Sequence, residues 1–222
     1  MTRVHATLAH ATLSRDQLEH HVQLACLLEV SAPKPGNITP GHDFSDTTYA
    51  DMVRSTLAQL DVGDAAAAFA AIVSARPGGL GEVPEHDVRA PPRVSLREAM
   101  AAAAHRDSIA SEYATGYAIV FDSGLPLLDD ALRDGLATLE AIVSLHLGLL
   151  ASHPDTLIAR KAGTAAARAV SSAACDVRAG RRSLADFDAS LRGDGNRLNP
   201  GTTADLVAAT LLAALLSGVR LP

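Results

Sequence analysis

The residues best suited to chemistry lie in the segment 196–216, where a polar loop runs into a strongly apolar stretch. This stretch predicts a buried helix, and Thr202 and Thr203 are natural N-caps for it. Asp205 stands where it would close a capping box with Thr202. A helix start also presents free backbone N–H groups that attract anions. Because a carboxylate repels phosphate unless a divalent cation lies between them, the alternative is that Asp205 only caps.

A second group of candidates lies near the start of the chain. Glu29 falls on the apolar side of a helix predicted to begin at Ser14, at its last turn. A carboxylate there opposes the helix dipole by roughly 0.3–1 kcal/mol, so a positive group is expected nearby. Lys34 is the nearest candidate, held between two prolines in the rigid loop SAPKPGN, which ends at Asn37. The alternative is a helix-ending turn with a solvated lysine.

Polar side chains also interrupt two alanine-rich stretches that predict helices. One long helix over 95–120 carries several titratable groups whose polarity wraps around it, which is expected of a solvated face or of a site wall. A helix over 152–180 carries Arg160 and Lys161. The groups on the first of these helices are His105, Arg106, Asp107, Glu112 and Tyr113.

Other possible motifs are weak. His42-Asp43 and His86-Asp87 resemble parts of the metal site of HD-type phosphohydrolases, but both lie in predicted loops instead of on packed helices. The PGGLG stretch lacks the strand and helix that flank a phosphate-binding loop. A metal-dependent hydrolase of a phosphorylated nucleoside is therefore only an alternative.

The elements that must position these residues are predicted to be helices throughout. Ser-x-x-acid or Ser-x-x-Gln capping patterns begin at Ser14, Ser95, Ser152 and Ser183, and Pro126 opens a further helix. No segment alternates with period two, so no sheet is expected. We predict one all-α, bundle-like domain of about eight helices over residues 1–222. Besides the first and last, the predicted helices span 47–60, 62–75, 95–120, 126–151, 152–180 and 183–193.

Composition narrows the classes of partner. The chain has 222 residues, 48% of them hydrophobic and 3% aromatic, and a net charge of −6. This balance argues against a nucleic-acid-binding protein, which needs a basic face. No stretch is long and apolar enough to predict a membrane span, so a cytoplasmic protein is expected. Cys26 and Cys175 are expected in the core, and the Ala/Leu-rich surface is compatible with a homodimer.

Four stretches together resemble the ATP:dephospho-CoA triphosphoribosyltransferase family, also called triphosphoribosyl-dephospho-CoA synthases. They are EVSAPKPGN (29–37), RDSIASEYATG (106–116), PDTLIARKAG (154–163) and NPGTTAD (199–205). The resemblance implies an all-helical fold and transfer of the triphosphoribosyl group of ATP to the 2′-hydroxyl of dephospho-CoA, with release of adenine. Family members make the prosthetic-group precursor of citrate lyase and malonate decarboxylase. The stretches PGGLGEVPEHDV and LREAM are closer to a branch found with methanopterin-linked one-carbon genes. For that branch, the resemblance does not fix the acceptor.

The resemblance also implies roles for individual residues, with Mg²⁺ accompanying ATP. The residues expected to contact phosphates are Lys34, Arg106 and Lys161. Those expected to form hydrogen bonds in the pocket are Asn37, Asn199, Thr202 and Thr203. The candidates for the catalytic base are Glu29, Asp107, Asp155 and Asp205, of which Asp155 and Asp205 are also expected to bind the metal.

The chain departs from the family pattern at one place. Family members carry, after the second helix, a segment with an Asn-Thr-His or Asn-Thr-Asn loop, whereas here DMVRSTLAQL runs directly into DVGDAAAAF. This favours an alternative function, a nucleotide-binding paralogue or shortened form without catalysis. The interpretation as a transferase predicts how three segments are arranged in space. The loop that holds Lys34, the helix opening at Pro154 and the threonines of the last helix should meet at one polar pocket.

Overall fold

The computed structural model describes residues 49–75, 83, 85–217 and 219, and in them the chain is helical, without strands. The all-α prediction is therefore confirmed. A π-helix (Val120–Gly124) and a 3-10 helix (Asp194–Asn196) accompany ten α-helices within this part of the chain. The α-helices are α1 Tyr49–Leu57, α2 Val62–Ala75, α3 Leu96–Ala103, α4 Ser108–Thr115, α5 Leu125–Arg133, α6 Thr138–Ser152, α7 Thr156–Ala162, α8 Thr164–Arg178, α9 Leu184–Leu191 and α10 Gly201–Leu216.

The prediction of about eight helices was too low, because three predicted long helices are divided. The predicted helix 126–151 is interrupted at Gly135, and the predicted helix 152–180 is interrupted at Gly163. Both glycines have positive φ, 79° and 92°, a conformation that L-residues rarely adopt.

The predicted helix 95–120 is divided by a carboxylate and a glycine. The side chain of Asp107 caps a new helix, α4, and Gly116 ends it in the left-handed conformation. Glu112, within α4, is 1% exposed and accepts backbone hydrogen bonds from two residues that follow this glycine, Ile119 (2.9 Å) and Val120 (3.0 Å). Burial raises the pKa of Glu112, although the two hydrogen bonds oppose it.

Of the predicted capping boxes, the one at Ser95 is confirmed, and those at Ser152 and Thr202 are wrong. Ser183 is confirmed as an N-cap, and Ser14 lies outside the described residues. Ser95 with Glu98 caps α3, and Ser183 accepts from the backbone of Asp186 at the start of α9. Ser152 instead ends α6, because Asp155 itself is the N-cap of α7. The box predicted for Thr202 and Asp205 is absent, since α10 begins at Gly201 without a side-chain cap.

The core is organised around α6 and α10. Buried leucines on α6, Leu145 and Leu149, pack with Val207 and Leu211 of α10 in one cluster that also includes α5. The other side of α6 packs on α7, α8 and α9, and a third cluster joins α2 to α3. The prediction that the last helix is buried is thus confirmed. Cys175, in contrast, is exposed on α8, and Cys26 lies outside the described residues.

Among the described residues, no single helix is long and apolar enough to cross a bilayer. The pair α6 and α7 meets the criteria of length and composition only when the two are taken together, across a bend of 57°.

The π-helix lets α10 approach closely, and this gives a first prediction. A Cβ atom at Gly124 would lie 2.3 Å from Thr210 Oγ1 and 3.0 Å from its Cγ2. Because Thr210 is fully buried and its hydroxyl donates to the Leu206 carbonyl, it has little room to move. We expect Gly124→Ala to lower the free energy of unfolding by about 1–3 kcal/mol in urea denaturation.

A matched control for this substitution is Gly193→Ala, since a Cβ there meets nothing within 4 Å. We expect that variant to unfold as the wild type does. Adding Thr210→Ala to Gly124→Ala removes the obstructing atoms, so the two changes should be strongly non-additive. Strict additivity would show that the contact does not limit the packing of α10.

Candidate functional site

A cavity of about 910 Å³ lies among the helices and has two chemically different sides. One side is largely apolar and is formed by α2, α3 and the residues around His86. The other is polar and is formed by the ends of α3, α4, α7, α8 and α10. The apolar side includes Phe69, Ile72, Val88, Ala99 and Met100, and the polar side includes Arg106, Asp107, Thr156, Arg160, Thr164, Thr202 and Asp205.

The polar side collects the beginnings of four helices. Asp107 is the N-cap of α4, and Thr156, Thr164 and Gly201 are the first residues of α7, α8 and α10. A helix N-terminus carries partial positive charge and backbone N–H donors. Carboxylate side chains cap α4 and α7, whereas α8 and α10 begin without a side-chain cap. This side of the cavity is therefore suited to anionic groups.

A buried carboxylate ties two of these helices together. Asp155 is 1% exposed, and its Oδ1 accepts backbone hydrogen bonds from Leu157 (2.9 Å) and Ile158 (3.0 Å). Its Oδ2 accepts from the backbone N–H (2.7 Å) and hydroxyl (2.9 Å) of Thr203. Four donors match the four lone-pair positions of a carboxylate. Asp155 therefore caps α7 and fixes the first turn of α10 against it.

A chain of hydroxyl groups adds α4 to this arrangement. Thr202 Oγ1 accepts from the Leu157 backbone N–H at 3.2 Å and lies 3.2 Å from Thr156 Oγ1. Thr156 Oγ1 in turn accepts the backbone N–H of Ser108 at 3.2 Å. Thr202, like Thr203, thus forms its hydrogen bonds between helices, whereas the sequence predicted both residues as N-caps of the last helix.

Asp107 and Arg160 form an ion pair on the cavity wall. Oδ1 of Asp107 caps α4 by accepting from Ile109 (2.9 Å) and Ala110 (3.2 Å). Its Oδ2 lies 3.4 Å from the Nη1 atom of Arg160, and both side chains are partly exposed. The pair links the start of α4 to the last turn of α7.

Asp205 differs from the other two carboxylates. It lines the cavity, and its side chain has no hydrogen-bond or ion-pair partner within the part of the chain that the structure describes. Surrounding protein raises the pKa of Asp205, first by desolvation and then by repulsion from Asp155 and Asp107. Asp205 is an exposed residue by surface area, and the repulsion from Asp155 and Asp107 acts on its pKa in the same direction as desolvation does.

The structure brings together some of the predicted site residues and separates others. Arg106, Asp107, Thr202 and Asp205 line the cavity, and Asp155 and Thr203 lie directly behind it. Neither Lys161 nor Asn199 lines the cavity; both are exposed, and the Lys161 carbonyl accepts a hydrogen bond from Arg197. The predicted site residues that fall outside the described part of the chain are Glu29, Lys34 and Asn37.

Sequence reasoning did not assign Arg160 to the site, and its spacing from Thr156 was a signal too weak to decide which face of α7 meets the cavity. Arg160 follows Thr156 by four residues, so the two share a face of α7, and both line the cavity. Lys161 lies about 100° further round the helix. The cavity wall also includes His86, whose φ of 54° is unusual for a residue with a side chain, and His105.

No group of three or more metal-ligating side chains occurs among the residues that the structure describes. A metal ion at this site would therefore take most of its ligands from a bound molecule or from water. Among the described carboxylates that line the cavity, Asp87 and Asp107 accept hydrogen bonds from the protein and Asp205 accepts none.

Comparison with known proteins adds to this geometry. The sequence model of the family described as ATP:dephospho-CoA triphosphoribosyl transferase matches residues 15–58 and 54–221. The match covers nearly the whole chain, and its two parts meet close to the place where the chain lacks the Asn-Thr segment. None of the curated protein sequences gives a significant match.

A solved structure shares the fold. It is the crystal structure of a protein from Archaeoglobus fulgidus described as a "putative triphosphoribosyl-dephospho-coA synthase". The two proteins are 25% identical, with a TM-score of 0.63, and the likeness covers 90% of this chain and 83% of the other. The chain belongs to the ATP:dephospho-CoA triphosphoribosyl transferase family and is a transferase of the triphosphoribosyl-dephospho-CoA synthase type.

Proposed function

We propose that this protein joins the 5-triphosphoribosyl group of ATP to the 2′-hydroxyl of dephospho-CoA, or of a related acceptor, and releases adenine. One observation carries the proposal. The segments RDSIASEYATG, PDTLIARKAG and NPGTTAD, which are far apart in the sequence, all contribute to a single cavity. Two of the three segments expected to converge, those at Pro154 and Thr202, both line it. The third, the Lys34 loop, lies outside the described residues.

The two sides of the cavity suit the two parts of a nucleotide. The triphosphate is an anion, and the polar side offers Arg106, Arg160 and the start of α8, which has no side-chain cap among the described residues. The apolar side, with Phe69 and Met100, suits a planar base or another weakly polar group.

In the proposed reaction the acceptor oxygen forms a bond to C1′ of the ATP ribose while the bond from C1′ to N9 of adenine breaks. The hydroxyl proton must be taken up, and the departing adenine must gain a proton. Asp205 is the best-placed base, because it faces the cavity and its oxygens accept no hydrogen bond from the described residues. Asp155 and Asp107 instead accept hydrogen bonds that fix the helices around the cavity. Carboxylates near C1′ also stabilise the positive charge that develops on the ribose.

Mg²⁺ would enter this reaction as the partner of the triphosphate. Mg²⁺ commonly uses one or two carboxylates together with substrate phosphates and water. As the alternative to its role as the base, Asp205 has the free oxygens that a protein ligand of Mg²⁺ needs, whereas the four hydrogen bonds of Asp155 leave it no free lone pair in this arrangement. The predicted metal role of Asp155 stays a prediction, and the geometry favours Asp205.

The proposal is tested by incubating the protein with ATP, Mg²⁺ and dephospho-CoA and measuring free adenine by chromatography. We expect adenine and the triphosphoribosylated acceptor in equal amounts, with no adenine when the acceptor is omitted. Release of inorganic phosphate without adenine would identify a hydrolase instead. Adenine release with a different hydroxyl acceptor only would keep the reaction and change the acceptor.

One observation favours a non-catalytic paralogue as a second candidate. Residues 58–61 are all that join α1 to α2, so the Asn-Thr segment of the family has no counterpart between these helices. A binding protein of this kind would take up ATP in calorimetry and release no adenine with any acceptor. The same two measurements, binding and adenine release, therefore separate the candidates.

A further inference from the structure

The sequence predicted Lys161 as the cation of α7 that contacts phosphate, but its neighbour Arg160 is the one that lines the cavity. Arg160 lines the cavity, and Lys161, which carries the same charge one position later, does not. The difference follows from the packing of α7, where Ile158 is fully buried and Thr156 and Arg160 lie on the cavity side. Of the two adjacent cations on α7, Arg160 is therefore the one that an anion in the cavity can contact.

Arg160 is also held in place while part of its hydrogen-bonding capacity stays free. Its Nη1 atom lies 3.4 Å from Asp107 Oδ2, and the other oxygen of Asp107 is committed to capping α4. A guanidinium group has five N–H donors in a fixed plane. Within the described residues, the Arg160 side chain pairs with Asp107 alone. The remaining donors suit the oxygens of a phosphate group.

The charges around the cavity make such a cation necessary for a polyphosphate. Asp107, Asp155 and Asp205 lie close enough together for the first two to raise the pKa of Asp205. An approaching triphosphate is repelled by these carboxylates unless cations offset them. Arg160 and Arg106 are the arginines on the cavity wall in the described part of the chain, and Arg160 is the one fixed by an ion pair.

We infer that Arg160, oriented by Asp107, binds a phosphate group of the nucleotide at the polar side of the cavity, and that Lys161 does not. The inference deepens the proposed function and rests on it for the identity of the ligand as a nucleoside triphosphate. The guanidinium group acts by binding and positioning the triphosphate, and it takes no part in proton transfer.

The experiment measures binding without turnover, by calorimetry with ATP and with inorganic tripolyphosphate in the presence of Mg²⁺. Loss of one charge-assisted contact corresponds to about a tenfold to hundredfold weaker affinity, which we expect for Arg160→Ala with both ligands. Arg160→Lys keeps the charge without the planar fork and should fall between Arg160→Ala and the wild type. Lys161→Ala, the matched control on the adjacent residue, should bind within about twofold of the wild type.

The outcomes separate this inference from the proposed function. If the wild type binds tripolyphosphate and Arg160→Ala does not, the inference stands even when no adenine is released from ATP. If adenine is released and Arg160→Ala binds both ligands as the wild type does, the inference is wrong and the transferase proposal survives. A larger loss in Lys161→Ala than in Arg160→Ala would overturn the inference in favour of the residue predicted from the sequence. Thermal melting of each variant shows whether a loss of binding comes from unfolding.

Discussion

Asp205→Asn is expected to lose about 10²- to 10⁴-fold in the rate of adenine release while the protein keeps its fold and its affinity for ATP. The amide matches the carboxylate in shape but cannot take a proton from the acceptor hydroxyl, and general base catalysis contributes about this much. Asp205 is the candidate because it faces the cavity and, in the part of the chain that the structure describes, neither of its oxygens accepts a hydrogen bond. The measurement is kcat and KM for ATP under saturating dephospho-CoA.

The matched control is Asp188→Asn on α9, away from the cavity, where the carboxylate pairs with Arg192. That variant should turn over as the wild type does. If Asp205→Asn raised KM for ATP and left kcat unchanged, Asp205 would be a ligand of the metal–nucleotide complex and not the base. A variant with full activity would leave the base among Glu29, Asp107 and Asp155.

The pH dependence of the rate follows from the direction of the shift in the Asp205 pKa. Desolvation, and then repulsion from Asp155 and Asp107, disfavours the ionised form, so the pKa of Asp205 in the folded protein lies above the ordinary value of 3.8. Since the base must be ionised, the rate should fall as the pH is lowered through this raised pKa. The folded state binds the proton more tightly than the unfolded state, so this group favours folding below its ordinary pKa. That contribution is lost as the pH rises through the raised pKa. At neutral pH, Asp205→Asn should therefore melt at the wild-type temperature or above it.

Local patterns predicted the helical class and the main candidate segments. They failed where a hydrogen-bond partner far away in the sequence determines the role of a residue. Thr202 and Thr203 were recognised as polar residues at a helix start, and their predicted use as N-caps followed from spacing alone. In the structure, Thr203 donates to Asp155, 48 residues away, and no local pattern specifies such a partner. The breaks at Gly135 and Gly163 were missed for a different reason. The apolar periodicity continues across both glycines, while their positive φ depends on how the flanking helices pack.

Local sequence patterns also cannot decide which of two adjacent residues, Arg160 or Lys161, faces the cavity. The sequence predicts a helix with two adjacent cations, and only the direction in which Ile158 is buried decides which of them faces the cavity. Hydrophobic periodicity over the seven residues of α7 is too short to fix that direction. The packing of α6, α7 and α8 around Ile158 fixes it instead.

Asp155→Ala is expected to lower the free energy of unfolding by about 3–5 kcal/mol, the largest effect on stability predicted for this chain. The change leaves three backbone N–H groups and one hydroxyl without their acceptor. Each such bond to a charged group contributes roughly 1.5–3 kcal/mol, with incomplete additivity. For a chain of this size, that loss corresponds to a fall in Tm of roughly 6 °C or more. Urea denaturation and thermal melting measure it.

Ser183→Ala is the reference for this loss of stability. It removes an ordinary exposed cap from α9 and should lower the free energy of unfolding by about 1 kcal/mol. Thr203→Val removes one of the four donors to Asp155 with little change in shape. Combined with Asp155→Ala, Thr203→Val should add far less than it does alone, because its partner is already gone. Additive losses, or a loss for Asp155→Ala no larger than that for Ser183→Ala, would contradict the role of Asp155 in holding α7 to α10. The pocket proposed for the triphosphate depends on that contact, since it sets the position of Thr202 and Asp205 relative to Arg160.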